Sequence, residues 1–248
     1  MRLTRLHVPG LPAEGGELEL PAAAAAHVTR VLRLRAGAPL VLFDGSGADF
    51  RAEVAAIAGD RVSVRVLDRV AGMPPSPLAV TLVQGVSRGE RMDWTLQKAT
   101  ELGVHRIRPV LTARSVVRLD EDQGRRRLRH WDGVVASACE QCGRSVLPVV
   151  DPPLELPTYL VGPRGEALRL VLSPDAATSV AAIASRLEGD VAGVELLIGP
   201  EGGLEAAEIA AAVHAGFEPA GLGPRVLRTE TAGIAALAVL QALAGDLG

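Results

Sequence analysis

From Pro77 onward the chain alternates short, nearly unbroken apolar runs with longer amphipathic stretches. The apolar runs are "LAVTLVQGV" (78–86), "HRIRPVL" (105–111), "ALRLVLSP" (167–174) and "GVELLIGP" (193–200). Between and after them come four segments of helical period. "RMDWTLQKATELGV" (91–104) puts Met92, Leu96, Ala99 and Leu102 on one side, with Gly103 at the position that ends a helix. "RRLRHWDGVVASACEQ" (126–141), "LEAAEIAAAVHAG" (204–216) and "TETAGIAALAVLQALAGD" (229–246) repeat the pattern. A strand that is apolar on both faces must be covered on both, and the connection available between parallel strands is a helix. The alternation therefore predicts an α/β domain around a largely parallel sheet.

Two proline-rich stretches punctuate the chain, "VAGMPPSP" (70–77) and "PVVDPPLELP" (148–157). Ahead of the first, the texture is different. In "RVSVRVLD" the valines at 62, 64 and 66 alternate with Ser63 and Arg65, the period of a half-buried strand. "PLVLFDG" reads as a second strand, and "DGSG" and "AGD" as turns. Residues 1–72 are expected to form a small β domain, in the shape of a barrel.

Aromatic residues make up only 2% of the chain, so the core has to be aliphatic. The longest charge-free helical stretch, Thr231 to Gly245, is shorter than the roughly 20 apolar residues of a membrane span. Arg2 and Arg5 precede no apolar leader, and two cysteines do not make a secreted disulfide framework. The sequence reads as cytoplasmic, without a membrane partner. Its net charge of −3 hides an asymmetry: residues 84–130 hold 11 Lys/Arg against 6 Asp/Glu, and from 146 onward the count is 5 against 13. A basic middle hints at a polyanionic partner, although solvated faces would give the same count.

Several motifs fail on their own chemistry. "GPEGG" (199–203) follows a strand and opens a helix, as a phosphate loop does, yet it lacks the Gly-Lys-Ser/Thr ending and holds Glu201 where a phosphate would be repelled. "CEQC" (139–142) has redox or zinc spacing, but it sits inside a helical pattern with no second cysteine pair and no histidine at ligand spacing. No metal site is expected. No Gly-x-Ser-x-Gly elbow is present to suggest a serine hydrolase. What remains is three strand-to-loop junctions: "SPDA" at 173–176, "GPEGG", and "GFEPAGLGPRVLRTET" at 216–231. Ligands of open α/β sheets bind beyond the carboxyl ends of the strands, so the three loops could share one pocket.

"QKATELGV", "EQCGR", "LLIGPEGGLEAAEI" and "LGPRVLRTETA", in this order and spacing, resemble the RsmE-type 16S ribosomal RNA (uracil-N3) methyltransferases of the SPOUT superfamily. "HVTRVLRLRAGAPLVLFDG" is similar to that family's N-terminal RNA-binding domain. The resemblance covers essentially the whole chain. It departs at Cys142, where serine is expected, and at Arg88, where lysine is common.

The resemblance implies an α/β SPOUT-type methyltransferase domain over 73–248, with the chain near 222–231 threaded into a C-terminal trefoil knot. A PUA-like β-barrel RNA-binding domain over 1–72 precedes it. It implies S-adenosylmethionine as cofactor, a sulfonium cation that tolerates a carboxylate in the turn. The cofactor set would be Leu172, Ser173, Pro174, Ile198, Gly199, Pro200, Glu201, Gly202, Gly203, Leu222, Gly223, Val226, Leu227, Arg228 and Thr229. Glycines 199, 202 and 203 would let the backbone approach the adenosine. Uracil N3 is weakly acidic, and charge left on the flanking oxygens calls for a fixed cation. Arg228 is the first choice, Arg225 the second, with Glu230 or Glu201 as general base or as residues that cap or orient. Arg2, Arg5, His27, Arg30, Arg33 and Arg35 would hold RNA, and Arg88, Gln141 and Arg144 would lie on the RNA side too. The partners implied are 16S rRNA in the small ribosomal subunit and a second copy of the chain, paired through the knot. Another RNA target, such as a ribose 2′-hydroxyl or a tRNA base, and a catalytically silent ribosome-assembly protein both stay open.

Overall fold

The alternating valines at 62, 64 and 66 lie in a strand and are all buried, as their period requires. In this computed structural model, which describes residues 3–12, 15–163, 165–185, 187 and 193–248, the chain divides into two compact units. The first is Met1–Pro75 together with Ala136–Leu147. Its strands are β1 (Thr4–His7), β2 (Gly16–Glu19), β3 (Pro39–Phe43), β4 (Ala48–Ala58) and β5 (Arg61–Ala71), in the order β1-β3-β4-β5-β2. Only the β1–β3 pair is parallel. Register shifts at Arg51/Ala52 and Val54/Ala56 let the long β4–β5 ribbon bend. Leu6, Leu40, Leu42, Val54 and the three valines form an aliphatic core. Helix α1 (Ala22–Ala26) and the π-helical turn His27–Val31 close it with Ala25 and Val28.

Residues 136–147 join this unit through polar contacts that no local pattern announces. The Arg5 guanidinium pairs with Asp49 and donates to Arg144 O at 3.2 Å and Ser145 Oγ at 3.3 Å. Ser145 Oγ donates to Asp49 at 2.6 Å, and His7 N donates to Glu140 Oε1 at 2.8 Å.

The second unit is Ser76–Val135 with Pro148–Gly248. Its parallel sheet runs β12 (Glu218–Ala220), β10 (Leu168–Leu172), β11 (Val194–Ile198), β6 (Val80–Gly85), β7 (Arg106–Leu111), β8 (Val149–Val150), and β9 (Leu154–Glu155) also pairs with β7. Neighbouring residues of each strand serve opposite cores. Leu82, Ile107, Leu170 and Leu196 pack towards α2 (Glu90–Glu101), α3 (Glu121–Cys142), α5 (Val180–Ala184) and α7 (Thr229–Ala244). Val83, Val110, Val171 and Leu197 pack towards α4 (Leu156–Leu160) and α6 (Ala206–His214). This two-sided burial is why the strands read as apolar runs. Gly103 ends α2 with a φ of +83°. No helix among the described residues is long and apolar enough to cross a membrane.

Candidate active site

Val171 pairs with Leu197 and Leu172 with Ala220, so β10, β11 and β12 end at one level. The chain beyond them encloses a cavity of about 580 Å³ lined by residues 172–175, 198–204, 220, 222–223 and 225–230, with Arg91, Arg114, Ile209 and Ala232. Every residue of the expected cofactor set lines it. Packing within the protein itself already calls for glycine at some of these positions. A Cβ at Gly199 would lie 2.8 Å from the backbone of Gly203 and Leu204, so this glycine lets the turn close on itself. At Gly202 the Cβ would stand 3.0 Å from Arg114 Cβ. Gly203 and Gly223 have open space, and their φ values of +70° and +89° are left-handed conformations that favour glycine.

One buried post fixes the cavity floor. Thr229 Oγ1 donates to Gly199 O at 2.6 Å and accepts from Gln84 Nε2 at 3.0 Å. Gln84 is fully buried and also donates to Gly85 O at 3.0 Å. The amide thus joins β6, the turn after β11 and the first residue of α7. Sequence reading passed over Gln84 because a lone glutamine in an apolar strand has no motif. Its signal was that a buried amide needs partners.

The charges form a chain along the rim. Glu201 accepts from Arg88 N at 2.8 Å and from Arg91 Nη1 at 3.0 Å. Burial would raise its pKa, but the amides of Arg88 and of Glu201 itself, with the Arg91 guanidinium, outweigh this and hold the carboxyl below its usual range. Arg91 Nε also lies 4.0 Å from Glu230 Oε1. Arg114 donates to Gly202 O at 3.0 Å and stands 3.6 Å from Glu205. Arg225 and Arg228 are exposed, and among the described residues neither guanidinium has a partner. Arg228 O accepts from Thr231 N and Ala232 N, which starts α7 and sets the side chain at the cavity wall. Sequence reading missed Arg91, Arg114, Asp175, Leu204, Ile209, Ala220 and Ala232 as lining residues; the two arginines come from other elements, and the other five lie within the quoted motifs without being singled out there.

The expected RNA set is divided between the two units. Arg2 lies outside the described residues. Arg5 is not a free cation: its side chain is 9% exposed, paired with Asp49 and set 4.8 Å over the Phe43 ring. Arg144 is buried in the same first-unit network. His27 caps α1, half-buried, where the π-turn begins. Arg30, Arg33 and Arg35 follow within nine residues and are exposed. Arg30 meets Asp60 at 2.9 Å, and Arg33 holds a φ of +52° as the chain leaves the turn. Gln141 is exposed on α3 in the first unit. Arg88 belongs to the second unit, exposed beside the Glu201 contact.

The "CEQC" pair lies in the last turns of α3. Cys139 is buried, and its hydrogen bond with Cys142 together with burial raises its pKa, which suits a packed thiol and not a nucleophile. Among the described residues no group of three or more His, Cys, Asp or Glu side chains is placed to hold a metal ion.

A cavity at the ends of parallel strands, with an apolar floor and an acidic and basic rim, has relatives. Residues 74–241 match the model of the RNA methyltransferase domain, and residues 20–67 that of the RNA methyltransferase PUA domain. The ribosomal RNA small subunit methyltransferase E of Mycobacterium bovis is 35% identical over 96% of this chain and 90% of its own. The crystal structure of the protein of that name from Neisseria gonorrhoeae, bound to S-adenosyl methionine, is 35% identical with a TM-score of 0.90, covering 100% of both chains. A Legionella pneumophila protein described as a methyltransferase, with the cofactor SAM bound, is 39% identical with a TM-score of 0.93, again over 100% of both chains.

Proposed function

The chain belongs to the RNA methyltransferase family, together with the ribosomal RNA small subunit methyltransferases E, and from that membership we propose that it methylates N3 of a uridine in 16S rRNA, with S-adenosylmethionine as donor. The cavity suits such a cofactor. At about 580 Å³ it lies in the range of small-molecule sites, roughly 300–1,000 Å³, and it pairs apolar walls with a few polar groups. Leu172, Ile198, Leu222 and Leu227 would flank the adenosine, and the turn at 199–203 would face it. Glu201 and Glu230 line the same cavity, and a carboxylate suits a sulfonium as it would not suit a phosphate. When bound, the cofactor supplies an electrophilic methyl group on a positively charged sulfur.

The protein's own part is to position the uracil and manage its N3 proton. Loss of that proton leaves charge on the two flanking oxygens. Arg228 lines the cavity and its guanidinium has no partner among the described residues, which supports it as the cation that meets this charge, with Arg225 three residues before it as the second choice. Glu201 is engaged by Arg88 N and Arg91 and held in its weakly basic form, which favours a clamping role. Glu230, with one contact at 4.0 Å, is the better-placed acceptor for the proton.

In this reading residues 1–72 bind RNA, residues 73–248 carry out the transfer, and the enzyme works in the cytoplasm, where its RNA substrate is found. The same reading includes the trefoil knot and a homodimer built through it. Support for the knot is local: β12 leads into the loop after β10, where Gly221 N donates to Thr178 O and accepts at its own carbonyl from Val180 N, each at 2.9 Å. For the dimer, Leu243 and Leu247 are 53% and 51% exposed at the C-terminal end. Leu237 and Leu240 of the same helix as Leu243 are buried within the unit itself.

The observation that carries the assignment is the meeting of three strand-end loops around one cavity with an unpaired Arg228. Incubation with labelled S-adenosylmethionine and unmodified small subunits, followed by nucleoside mass spectrometry, should yield N3-methyluridine. A label on a ribose hydroxyl or another base would overturn the choice of atom. No transfer alongside intact RNA binding would favour a silent assembly protein.

A further inference from the structure

We propose that the first half of α3, with the loop before it, is a second docking surface for the RNA substrate, holding phosphates on the strand that delivers the target nucleotide. The inference rests on the reading that this chain modifies RNA. Several arginines of the second unit are matched by acids: Arg106 and Arg108 share Asp151, Arg169 meets Glu195, Arg125 meets Glu121 and Asp122, Arg91 meets Glu201 and Arg114 stands beside Glu205. Arg118, Arg126, Arg127 and Arg129 are different. All four are exposed, and among the described residues none has an ion-pair or hydrogen-bond partner. The other unpaired guanidiniums described in this unit belong to Arg225 and Arg228 at the cavity and to Arg88, whose amide Glu201 holds. Among the described residues of this unit, unpaired guanidiniums thus fall at the cavity, at Arg88 and along one stretch of chain from Arg118 to Arg129.

That stretch starts at the cavity. Strand β7 ends at the carboxyl edge of the sheet, Arg114 lines the cavity wall, and the chain then passes through Arg118 into α3. Trp131 and Val135 are buried and Leu128 is half-buried, which anchors one face of this helical segment. At 100° per residue, Arg126 and Arg129 fall on the face turned away from them. Like charges three residues apart repel, and among the described residues no carboxylate lies within ion-pair distance of either, Asp122 being paired with Arg125. A row of phosphates would, and the guanidinium fork matches phosphate oxygens. Within residues 84–130 the excess of 11 Lys/Arg over 6 Asp/Glu is then largely this surface.

The test compares the full-length wild type with Arg126→Gln/Arg127→Gln/Arg129→Gln and with the matching triple lysine variant. Filter binding to unmodified 16S rRNA is measured from 50 to 200 mM salt, and S-adenosylmethionine binding by calorimetry. The glutamine triple should bind RNA at least tenfold more weakly at the lower salt. The slope of log affinity against log salt should fall by about 2, since each single-strand phosphate contact contributes roughly 0.7. Cofactor affinity should stay within twofold, and the lysine triple should bind RNA within threefold of wild type. Unchanged RNA affinity and slope in the glutamine triple would overturn the proposal and leave these arginines as solvated charge. So would binding lost to assembled subunits but kept on naked rRNA, which would point to an acidic protein partner. A wild type that binds no rRNA would instead remove the functional reading beneath it.

Discussion

Arg228 and Glu201 line the same cavity with opposite environments, and the difference assigns them different work. Arg228 has no partner among the described residues, so its charge is available to whatever enters. A cation that meets charge developing at the uracil acts mainly in the transition state. Arg228→Ala should therefore lower single-turnover methylation at saturating cofactor about a hundredfold, or ~3 kcal/mol, with RNA affinity close to wild type. A variant that loses only affinity would make Arg228 a binding residue. Glu201 is already spoken for by Arg88 N and Arg91. Its folded-state pKa is lowered from an ordinary 4.5, so its contribution is fully present above that value and is lost as pH falls through the lower folded one. Unfolding free energy should accordingly be flat from pH 8 to about 5, on this group's account, and decline below about 4.5. Glu201→Gln should remove that share of the decline and lower stability by roughly 1 kcal/mol, the side chain being 22% exposed. If the glutamine variant kept the acid decline, some other group would be responsible.

At the scale of elements, the cavity depends on how the turn after β11 is fastened to its neighbours. Thr229→Val keeps the shape but takes the hydroxyl from Gly199 O and Gln84 Nε2. Denaturant unfolding should show a loss of about 1–3 kcal/mol, and the Gln84→Leu/Thr229→Val double variant should lose less than the sum of its singles. Additive losses would mean the two side chains are not coupled. Gly202→Val should weaken cofactor binding more than tenfold while the protein stays folded, because the new side chain pushes on Arg114 and on the turn it holds. Calorimetry showing normal binding would leave Gly202 as a bare turn residue. These fastenings mark the limit of what can be read from the chain. The apolar runs and amphipathic stretches gave the sheet, its helices and the three loops, because burial on one or two faces leaves a period. The five-residue helices α4 and α5, the three-residue β12 and the two-residue β8 and β9 carry too few residues for a period to show. Arg5 read as a surface cation because nothing nearby in sequence announces Asp49 or Ser145, its partners 44 and 140 residues away. Arg91 was legible as a helix residue but not as the link between Glu201 and Glu230, which three separate segments must assemble.

For the whole molecule, two activities have to be kept apart: holding a long polyanion and activating one atom of it. Contacts to phosphates strengthen binding in the ground and transition states alike and weaken with salt, whereas a contact to developing charge does neither. In the first unit the exposed cations in and just after the π-turn are Arg30, Arg33 and Arg35. Arg30 is shared with Asp60, but both side chains are open to solvent, at 68% and 80% exposure, and such a pair is readily exchanged for a phosphate. Arg33, at a φ of +52°, breaks the line of the turn, so the three guanidiniums need not contribute equally. Arg30→Ala/Arg33→Ala/Arg35→Ala should weaken rRNA binding and flatten its salt dependence by up to about 2 in the log–log slope. Its single-turnover rate at saturating RNA should stay within a few-fold of wild type. Measured beside Arg228→Ala at two salt concentrations, the pair of variants should separate cleanly, one failing in affinity and the other in rate. A triple variant that bound normally but turned over slowly would place these arginines with the chemistry, and the division of labour between the two units would have to be redrawn.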